Sequence, residues 1–203
     1  MNHHLVEILK ANIGQSLTPD LAADLMLAAD QIPTLVSFDV LDRIKPQQCG
    51  EFVFAHEKLE DILEEMKPLH VEHWKQTEQH RHSIEFNPDY ETFFRHERAG
   101  RAVVFTLRKE GRLLGNFSVY VSKSMHTQTL FSREDTLFLM PEARKGRTAM
   151  RFIEYGERAL QQIGVREINV SVKVINKAGR FFQMIGYRHT ENGLSKILEV
   201  ANA

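Results

Sequence analysis

Two hydrophobic periods alternate along this chain, and each predicts one type of secondary structure. Apolar residues three or four positions apart lie on one face of a helix, whereas strict alternation with polar residues places them on one face of a strand. The first period predicts helices over residues 5–13, 18–32, 59–74, 87–99, 147–163 and 176–185. Pro68 is expected to kink or divide the third helix, because proline cannot donate the backbone hydrogen bond of a helix interior.

Short runs of apolar and β-branched residues predict strands between the helices. They span residues 51–55, 102–107, 113–121, 135–140, 167–174 and 195–200. The fifth has the clearest alternation, with its apolar positions at Ile168, Val170, Val172 and Val174. The polar tetrapeptide 109–112 joins the second and third strands as a hairpin. The pattern predicts an α+β fold in which helices cover a mixed sheet.

The first two predicted helices form a helical hairpin that precedes the main sheet. Thr18 is the expected N-cap of the second helix, and Pro19 is its first residue. Residues 45–50 are rich in polar and turn-forming side chains, and we place a domain boundary there. The chain is thereby divided into an N-terminal helical extension, residues 1–50, and a main domain, residues 51–203.

Composition and charge narrow the classes of function. The chain has 203 residues, 26 Lys and Arg against 27 Asp and Glu, and a formal net charge of −1. It therefore offers no general electrostatic attraction for nucleic acid or for an anionic membrane. No apolar run approaches the ~20 residues of a membrane-spanning helix. The single cysteine, Cys49, excludes an internal disulfide and favours a reducing, cytoplasmic location.

Four histidines lie close together in the sequence, at positions His70, His73, His80 and His82. No cysteine is near them, and the neighbouring glutamates are not spaced to share a helix face with both histidines of the first pair. We therefore predict no metal site.

The most informative segment is residues 137–153, where an apolar strand runs through a basic turn into an amphipathic helix. Basic side chains surround Gly146 in this turn: Arg144, Lys145, Arg147 and, one helical turn later, Arg151. Free backbone N–H groups and the positive end of the helix dipole also collect there, so cations are unfavourably placed unless an anion binds. A strand, a glycine turn and a helix start together form the layout of a phosphate site. A solvated basic turn is the alternative, and the layout alone does not separate the two.

The turn contains neither the P-loop motif nor the glycine-rich dinucleotide motif, which excludes those two kinds of phosphate site. It resembles the GNAT acyltransferases, whose pattern is a strand, a Pro-Glu dipeptide, and then [QR]-x-x-G-x-[GA] at the start of a helix. Pro141 and Glu142 supply the dipeptide, and Arg144 and Ala149 match the first and last positions of the motif. Arg147 stands where the family has its central glycine. This R-x-G-R-x-A version resembles GNAT-like proteins of phages and prophages.

The resemblance extends toward the C-terminus. The family continues with a strand and an Asn-initiated helix that ends in a Tyr-x-x-x-Gly-Phe-like motif, and Asn176 and residues 182–187 occupy these places. Phe182 stands where the family often has the tyrosine that protonates the leaving thiolate, and a phenyl ring has no proton to give. The resemblance covers residues 51–200 in element order. It implies a GNAT fold, with a mostly antiparallel central sheet flanked by helices.

The resemblance also implies acetyl-CoA as the acyl donor and an amine that attacks its thioester directly. The residues implied to contact the coenzyme are Arg144, Lys145, Gly146, Arg147, Thr148, Ala149, Asn176 and Phe182. A backbone N–H group of Leu139 or Met140 is expected to polarise the thioester carbonyl.

Three side chains are candidates for the base that takes a proton from the amine. Many family members carry a catalytic glutamate near the start of the 135–140 strand, which implies Asp135 or Glu134. His126, in the polar stretch before that strand, is the third candidate because imidazole titrates near neutral pH. Ordinary carboxylates are weak bases, so Glu134 or Asp135 needs burial or a water relay to act. A solvent-exposed, non-catalytic role stays open for all three.

The leading hypothesis is a cytoplasmic GNAT-type N-acetyltransferase that acts on a small-molecule or peptide amine. The alternative is a catalytically degenerate GNAT domain that binds CoA or a protein partner, as a phage accessory or virion-associated component. The missing tyrosine favours the alternative, and the basic turn favours the enzyme. Neither nucleic acid nor a membrane is expected as a partner, whereas a homodimer is compatible with the sequence.

Overall fold

The computed structural model describes residues 3–30, 34–79, 84–176 and 178–198. Its N-terminal half contains the helices α1 (His3–Ala11), α2 (Pro19–Asp30) and α3 (Phe38–Leu41), the strands β1 (Gln47–Cys49) and β2 (Phe52–His56), and the helices α4 (Leu59–Thr77) and α5 (Tyr90–Arg98). The remainder contains β3 (Ala102–Lys109), β4 (Arg112–Lys123), β5 (Leu130–Leu139), a 3₁₀ turn (Pro141–Arg144), α6 (Thr148–Gln162), β6 (Val165–Asn169) and α7 (Ala178–Met184).

The six strands form a single sheet in the order β1-β2-β3-β4-β5-β6. Every neighbouring pair is antiparallel except β5 and β6, which are parallel and are joined through α6. A parallel pair needs such a crossover connection, because a tight hairpin can join only antiparallel strands. The α+β prediction with a mixed, mostly antiparallel sheet is confirmed. The predicted N-terminal helical hairpin is also present, with α1 packed on α2.

Apolar side chains cover both faces of the sheet. On one face, Phe105 and Phe117 pack with Phe152 of α6 in the larger core cluster. On the other face, Val104 and Phe138 pack with α4 and α5. Successive strand residues point to opposite faces, so β3 and β5 each contribute to both layers. The sheet is therefore packed between α6 on one side and α4 with α5 on the other.

Gly156 allows α6 to pack closely on the sheet. A Cβ atom at this position would lie 2.9 Å from a ring carbon of Phe117 and 3.2 Å from one of Phe105. These distances are shorter than ordinary van der Waals contact, so a larger residue would push the helix away from the aromatic core.

The start of α4 is capped from a distance by Glu97 of α5. Lys58, the N-cap residue, makes no side-chain capping bond, and the backbone N–H of Leu59 donates instead to Glu97 Oε1 at 2.8 Å. Glu97 is 2% exposed, and burial raises the pKa of its carboxyl. Helix α4 runs from Leu59 to Thr77 with Pro68 inside it. The prediction that Pro68 divides the helix is therefore wrong.

The structure differs from the prediction for the last two strands. Strand β6 ends at Asn169, and residues 170–174 leave the sheet. Residues 195–198 form no strand, and 199–200 lie outside the described residues. The predicted boundary at residue 50 falls inside the β1–β2 hairpin, and side chains before it, such as Leu41, belong to the main core. No helix within the described ranges is long and apolar enough to cross a membrane.

Candidate active site

Strands β5 and β6 separate part-way along their length. Their last paired residues are Arg133 and Asn169. Beyond this point β5 continues to Leu139, paired with β4 only. We call the opening between residues 134–139 and residues 170–174 the slot. One edge of β5 therefore presents unpaired backbone groups to the slot, where an extended ligand can pair with them as an added strand does.

The register shows which backbone groups face the slot. The N–H of Met140 donates to the carbonyl oxygen of Leu114 at 2.7 Å, so Met140 faces β4. Residues of an antiparallel pair face their partner at every second position, which places the N–H groups of Leu137 and Leu139 on the slot side. Met140 is therefore wrong as the predicted donor to a thioester carbonyl, and Leu139 keeps its N–H available. Leu137 was not predicted, because the sequence does not give the strand register.

A β-bulge lies where the slot begins. Ser118 pairs with Thr136 and Val119 pairs with Glu134, which leaves Asp135 as the extra residue of β5. Such a bulge re-aims the side chains beside it. Glu134 Oε2 accepts the backbone N–H of Ser171 at 3.2 Å, across the slot.

The surroundings of Glu134 raise the pKa of its carboxyl to about 7, chiefly because burial disfavours the charged form. The Ser171 N–H opposes this shift, and the negative charge of Asp135 adds to it. A carboxylate whose pKa lies near neutrality is a far better base than an ordinary one. Geometry and pKa together make Glu134 the candidate best suited to accept a proton in the slot.

The other two base candidates lie in different surroundings. Burial of its carboxyl group raises the pKa of Asp135, although the residue as a whole is exposed. Asp135 lies near Tyr120, whose pKa is raised to about 12 by burial and then by the Asp135 charge. His126 is exposed in the turn before β5, where its backbone N–H bonds to Ser124 Oγ. The structure thus places Glu134 and Asp135 together and His126 apart from them.

An ion pair links the segment after β6 to the end of α4. Lys173, four residues after β6, pairs with Glu78 at the end of α4. His73 of α4 lies near both charges, and burial is the main cause of its lowered pKa. The His73 ring also packs against Phe138 of β5, with ring centroids 6.0 Å apart. The slot therefore opens onto a surface that combines carboxylates with aromatic rings.

Of the four histidines singled out in the sequence, the two that the structure describes, His70 and His73, lie on α4 and contact other side chains. His70 Nδ1 lies 3.2 Å from the hydroxyl of Tyr90, and burial lowers the pKa of His70 to about 4. His80 and His82 lie outside the described residues. Within the described ranges, no three His, Cys, Asp or Glu side chains are placed to hold a metal ion.

The basic turn follows the end of β5, at the end of the slot away from Glu134. Gly146 adopts a φ of 60°, which favours glycine, and Arg147 is the N-cap of α6. The first i→i−4 hydrogen bond of α6 runs from the N–H of Arg151 to the carbonyl oxygen of Arg147. In the described part of the chain, the N–H groups of Ala149 and Met150 have no acceptor. They point out of the helix start, as the N–H groups of an anion site do.

The basic side chains of the turn have two different roles. Lys145 and Arg147 are exposed, and no described acidic side chain forms an ion pair with either. Arg144, by contrast, donates through Nε to the carbonyl oxygen of Leu139 at 2.6 Å and through Nη2 to Gln76 Oε1 at 3.2 Å. Its guanidinium also lies 5.2 Å from the centre of the Phe138 ring. Arg144 thus braces the end of β5 against α4, a role the sequence did not indicate.

Two further predicted contacts have other partners. Asn176 Oδ1 accepts the N–H of Ala178 at 3.0 Å and so caps α7. Phe182 is 5% exposed, and its ring packs edge-on against Tyr187 with centroids 5.0 Å apart. The side chain of Phe182 is therefore enclosed by the core, and its predicted contact with the coenzyme stays a prediction. Thr148, in contrast, lies at the start of α6 beside the unpaired N–H groups.

Solved structures share this arrangement of strands and helices. An aminoglycoside acetyltransferase from an uncultured soil metagenomic sample superposes with a TM-score of 0.59 and 12% identity, over 74% of this chain and 97% of that one. A ribosomal-protein-alanine N-acetyltransferase from Brucella melitensis gives 0.57 and 15%, over 73% and 99%. The chain has the GNAT fold. No protein-family model and no curated protein sequence matches it.

A third solved structure with a similar arrangement was determined with a ligand bound. AAC(6')-Iy, with a TM-score of 0.57 and 15% identity over 73% of this chain and 99% of that one, was solved with the bisubstrate analogue CoA-S-monomethyl-acetylneamine. At sequence identities of 12–15%, the structural similarity establishes the fold alone. The chemistry of this chain is inferred from its own residues.

Proposed function

We propose that this protein transfers an acetyl group from acetyl-CoA to an amine, which attacks the thioester directly while both are bound. The observation that carries the proposal is the separation of β5 from β6 beyond Arg133 and Asn169. It exposes the backbone edge of β5 along a line that ends at the unpaired N–H groups of α6. An extended molecule with an anionic end fits this line.

The start of α6 supplies the anion site for the diphosphate of the coenzyme. The N–H groups of Ala149 and Met150 have no acceptor in the described structure, and the positive end of the helix dipole adds to their attraction. Lys145 and Arg147 are exposed beside them and contribute two charges. A charge-assisted hydrogen bond to phosphate contributes about 1.5–3 kcal/mol to binding.

The edge of β5 positions the thioester. The N–H groups of Leu137 and Leu139 face the slot two residues apart, so one can bond the arm of the coenzyme and the other the thioester carbonyl. A fixed N–H beside that carbonyl stabilises the negative charge that develops on its oxygen during attack. The Arg144 bond to the Leu139 carbonyl keeps this edge in place.

Glu134 accepts the proton that the amine must lose. It lies at the end of the slot where β5 and β6 part, ~10 Å along β5 from Leu137, so a water molecule relays the proton. The chain offers no tyrosine at position 182 to protonate the departing thiolate. The thiolate therefore takes its proton from water at the mouth of the slot. Because thiols ionise more readily than alcohols, this requirement is modest.

Calorimetric titration with CoA, paired with a thiol-release assay on a panel of amines, tests the proposal. The expected results are saturable binding by the wild type, weaker binding by Arg147→Ala, and thiol release that depends on an amine. Arg166→Ala is the matched control, because Arg166 is exposed on β6 near the opposite end of α6. Equal CoA affinity in the Arg147→Ala and wild-type proteins contradicts the assigned site.

One observation favours the second candidate, a GNAT-fold domain that binds CoA or a protein partner without transfer, as in a phage component. Phe182 lies in the core and has no hydroxyl group. Tight CoA binding with no turnover on any amine supports this candidate. If the protein neither binds CoA nor releases thiol with any amine, both candidate functions are excluded.

A further inference from the structure

Lys173 lies in the segment after β6, residues 170–174, which forms the side of the slot opposite β5. It follows Asn169, the last residue of β6, by four positions, and its ammonium group pairs with a carboxylate oxygen of Glu78. The side chains of Lys173 and Glu78 are only 30% and 19% exposed. The lysine side chain therefore reaches across the opening toward α4 and does not extend into solvent.

The surroundings of Lys173 are those expected for an acceptor amine. Its charge acts on the carboxyl of Glu134 and on the ring of His73, so both groups lie near its ammonium. The backbone two residues earlier is fixed to Glu134 by the 3.2 Å bond from Ser171. A primary amine thus pairs with one carboxylate, Glu78, and lies near a second, Glu134, which is the candidate base.

We propose that Lys173 is acetylated by the acetyl-CoA bound in its own molecule. This inference rests on the proposed function, because it needs the thioester to lie along β5. The chain itself then supplies the first acceptor, and modification does not need a second substrate. Proximity makes such a reaction fast, since a group fixed beside its partner reacts as if at very high concentration.

The step balances as an ordinary aminolysis. The Lys173 ammonium gives one proton to the Glu134 carboxylate through water, and the freed nitrogen lone pair forms a bond to the acetyl carbon. The C–S bond breaks, and its electron pair leaves with sulfur as the CoA thiolate. The second proton on the attacking nitrogen passes through water to the thiolate. The products are acetyl-Lys173 and CoA with a free thiol.

Two other lysines serve as internal comparisons. Lys75 is exposed on α4, three residues before Glu78, and Lys145 is exposed in the basic turn. Both side chains are exposed to solvent, and the charge of neither acts on the carboxyl of Glu134 as that of Lys173 does. Spontaneous chemical acetylation modifies exposed lysines, whereas the proposed reaction selects a half-buried one.

The test is mass spectrometry of the full-length chain after incubation with acetyl-CoA, followed by peptide mapping. The expected result is one acetyl group on Lys173, formed at least about tenfold faster than on Lys75 or Lys145. The rate constant should not depend on protein concentration. Lys173→Arg, which keeps the positive charge for Glu78, should abolish this modification, while Lys75→Arg should leave it unchanged. Glu134→Gln should slow it.

CoA calorimetry on the same sample separates the possible failures. If CoA binds but Lys173 is modified no faster than Lys75, the inference is overturned and the proposed function stands. If the rate rises in proportion to protein concentration, the reaction is between molecules and the inference is again overturned. If CoA does not bind, both proposals fail. Unfolded protein, treated in parallel, should lose the preference for Lys173.

Discussion

Glu134 Oε2 accepts the backbone N–H of Ser171 at 3.2 Å, one residue beyond the last pairing of β5 with β6. This bond holds a carboxyl group at the point where the two strands separate. Burial at this point raises the pKa of Glu134 to about 7, against the opposing effect of the Ser171 N–H. The base candidate and the opening for the coenzyme therefore arise from a single feature of the sheet.

Replacing Glu134 by Gln should lower the rate of amine-dependent thiol release by about a hundredfold, since general-base catalysis contributes ~10²–10⁴. In the wild type the rate should rise with pH through about 7, because only the carboxylate accepts a proton. The variant should lose this rise. Steady-state kinetics between pH 5 and 9 provide the measurement, and a variant with the wild-type profile contradicts the assignment.

The same carboxyl should make stability depend on pH. Its folded-state pKa is raised from 4.5 to about 7, so the folded protein holds a proton that the unfolded chain releases in this interval. The contribution of this carboxyl to the stability of the folded state is fully present below pH 4.5 and is lost as pH rises through about 7. Relative to the wild type, Glu134→Gln should therefore gain thermal stability between pH 4.5 and 8. A Tm difference that does not change over this range shows that the carboxyl is not buried.

The basic turn should divide into binding and bracing residues. Removing the charge of Lys145 or Arg147 should weaken CoA binding by about tenfold each without lowering Tm, because both are exposed and free of acidic partners among the described residues. Arg144→Ala should lower Tm as well, because it removes the bond to the Leu139 carbonyl and the contact with Phe138. Calorimetry and thermal melts measure the two effects.

Asp135→Asn is the control for this series, since Asp135 lies at the other end of the slot. It should leave CoA affinity within about twofold of the wild type. A loss of affinity as large as that of Arg147→Ala would mean that the turn is not the coenzyme site.

Glu97 should be required for the start of α4. Glu97→Ala leaves the buried N–H of Leu59 without its acceptor, at a cost of about 1–3 kcal/mol in the free energy of unfolding. Glu167→Ala, at an exposed position of β6, should change it by less than about 0.5 kcal/mol. Urea denaturation compares the two variants, and equal effects exclude the capping role.

Gly156→Ala should destabilise the fold by about 1–3 kcal/mol, because the new methyl group meets the Phe117 ring at 2.9 Å. The control is Gly193→Ala, where nothing lies within 4 Å of the added Cβ. If both variants unfold at the same urea concentration, α6 is not packed as closely as described.

Periodicity predicted most of the helices and strands in their order, because each buries one face against the sheet. It missed α3 and β1, and it predicted a final strand that residues 195–198 do not form. The prediction failed where tertiary contacts determine how far a helix or strand extends. Pro68 is tolerated inside α4, and the strongly alternating residues 170–174 leave the sheet, because β6 has separated from β5 by that point. Alternation shows which side chains share a face, but it does not show whether a neighbouring strand is present to pair with.

The sequence predicts where the proposed site lies but not its contacts. Glycine beside basic residues at a helix start predicts an anion site at 144–149, which we propose as the coenzyme site. The roles within it depend on register and on distant partners. Met140 is excluded by its bond to Leu114, and Arg144 is occupied by Leu139 and Gln76. Neither partner can be identified from the spacing of residues along the chain.

A crystal structure of the protein grown with CoA tests the central claim most directly. The account predicts the diphosphate on the N–H groups of Ala149 and Met150, with Lys145 and Arg147 beside it. The arm of the coenzyme should pair with the N–H groups of Leu137 and Leu139, and the sulfur should lie toward Glu134. A coenzyme bound elsewhere, with β5 and residues 170–174 closed on each other, would contradict the account.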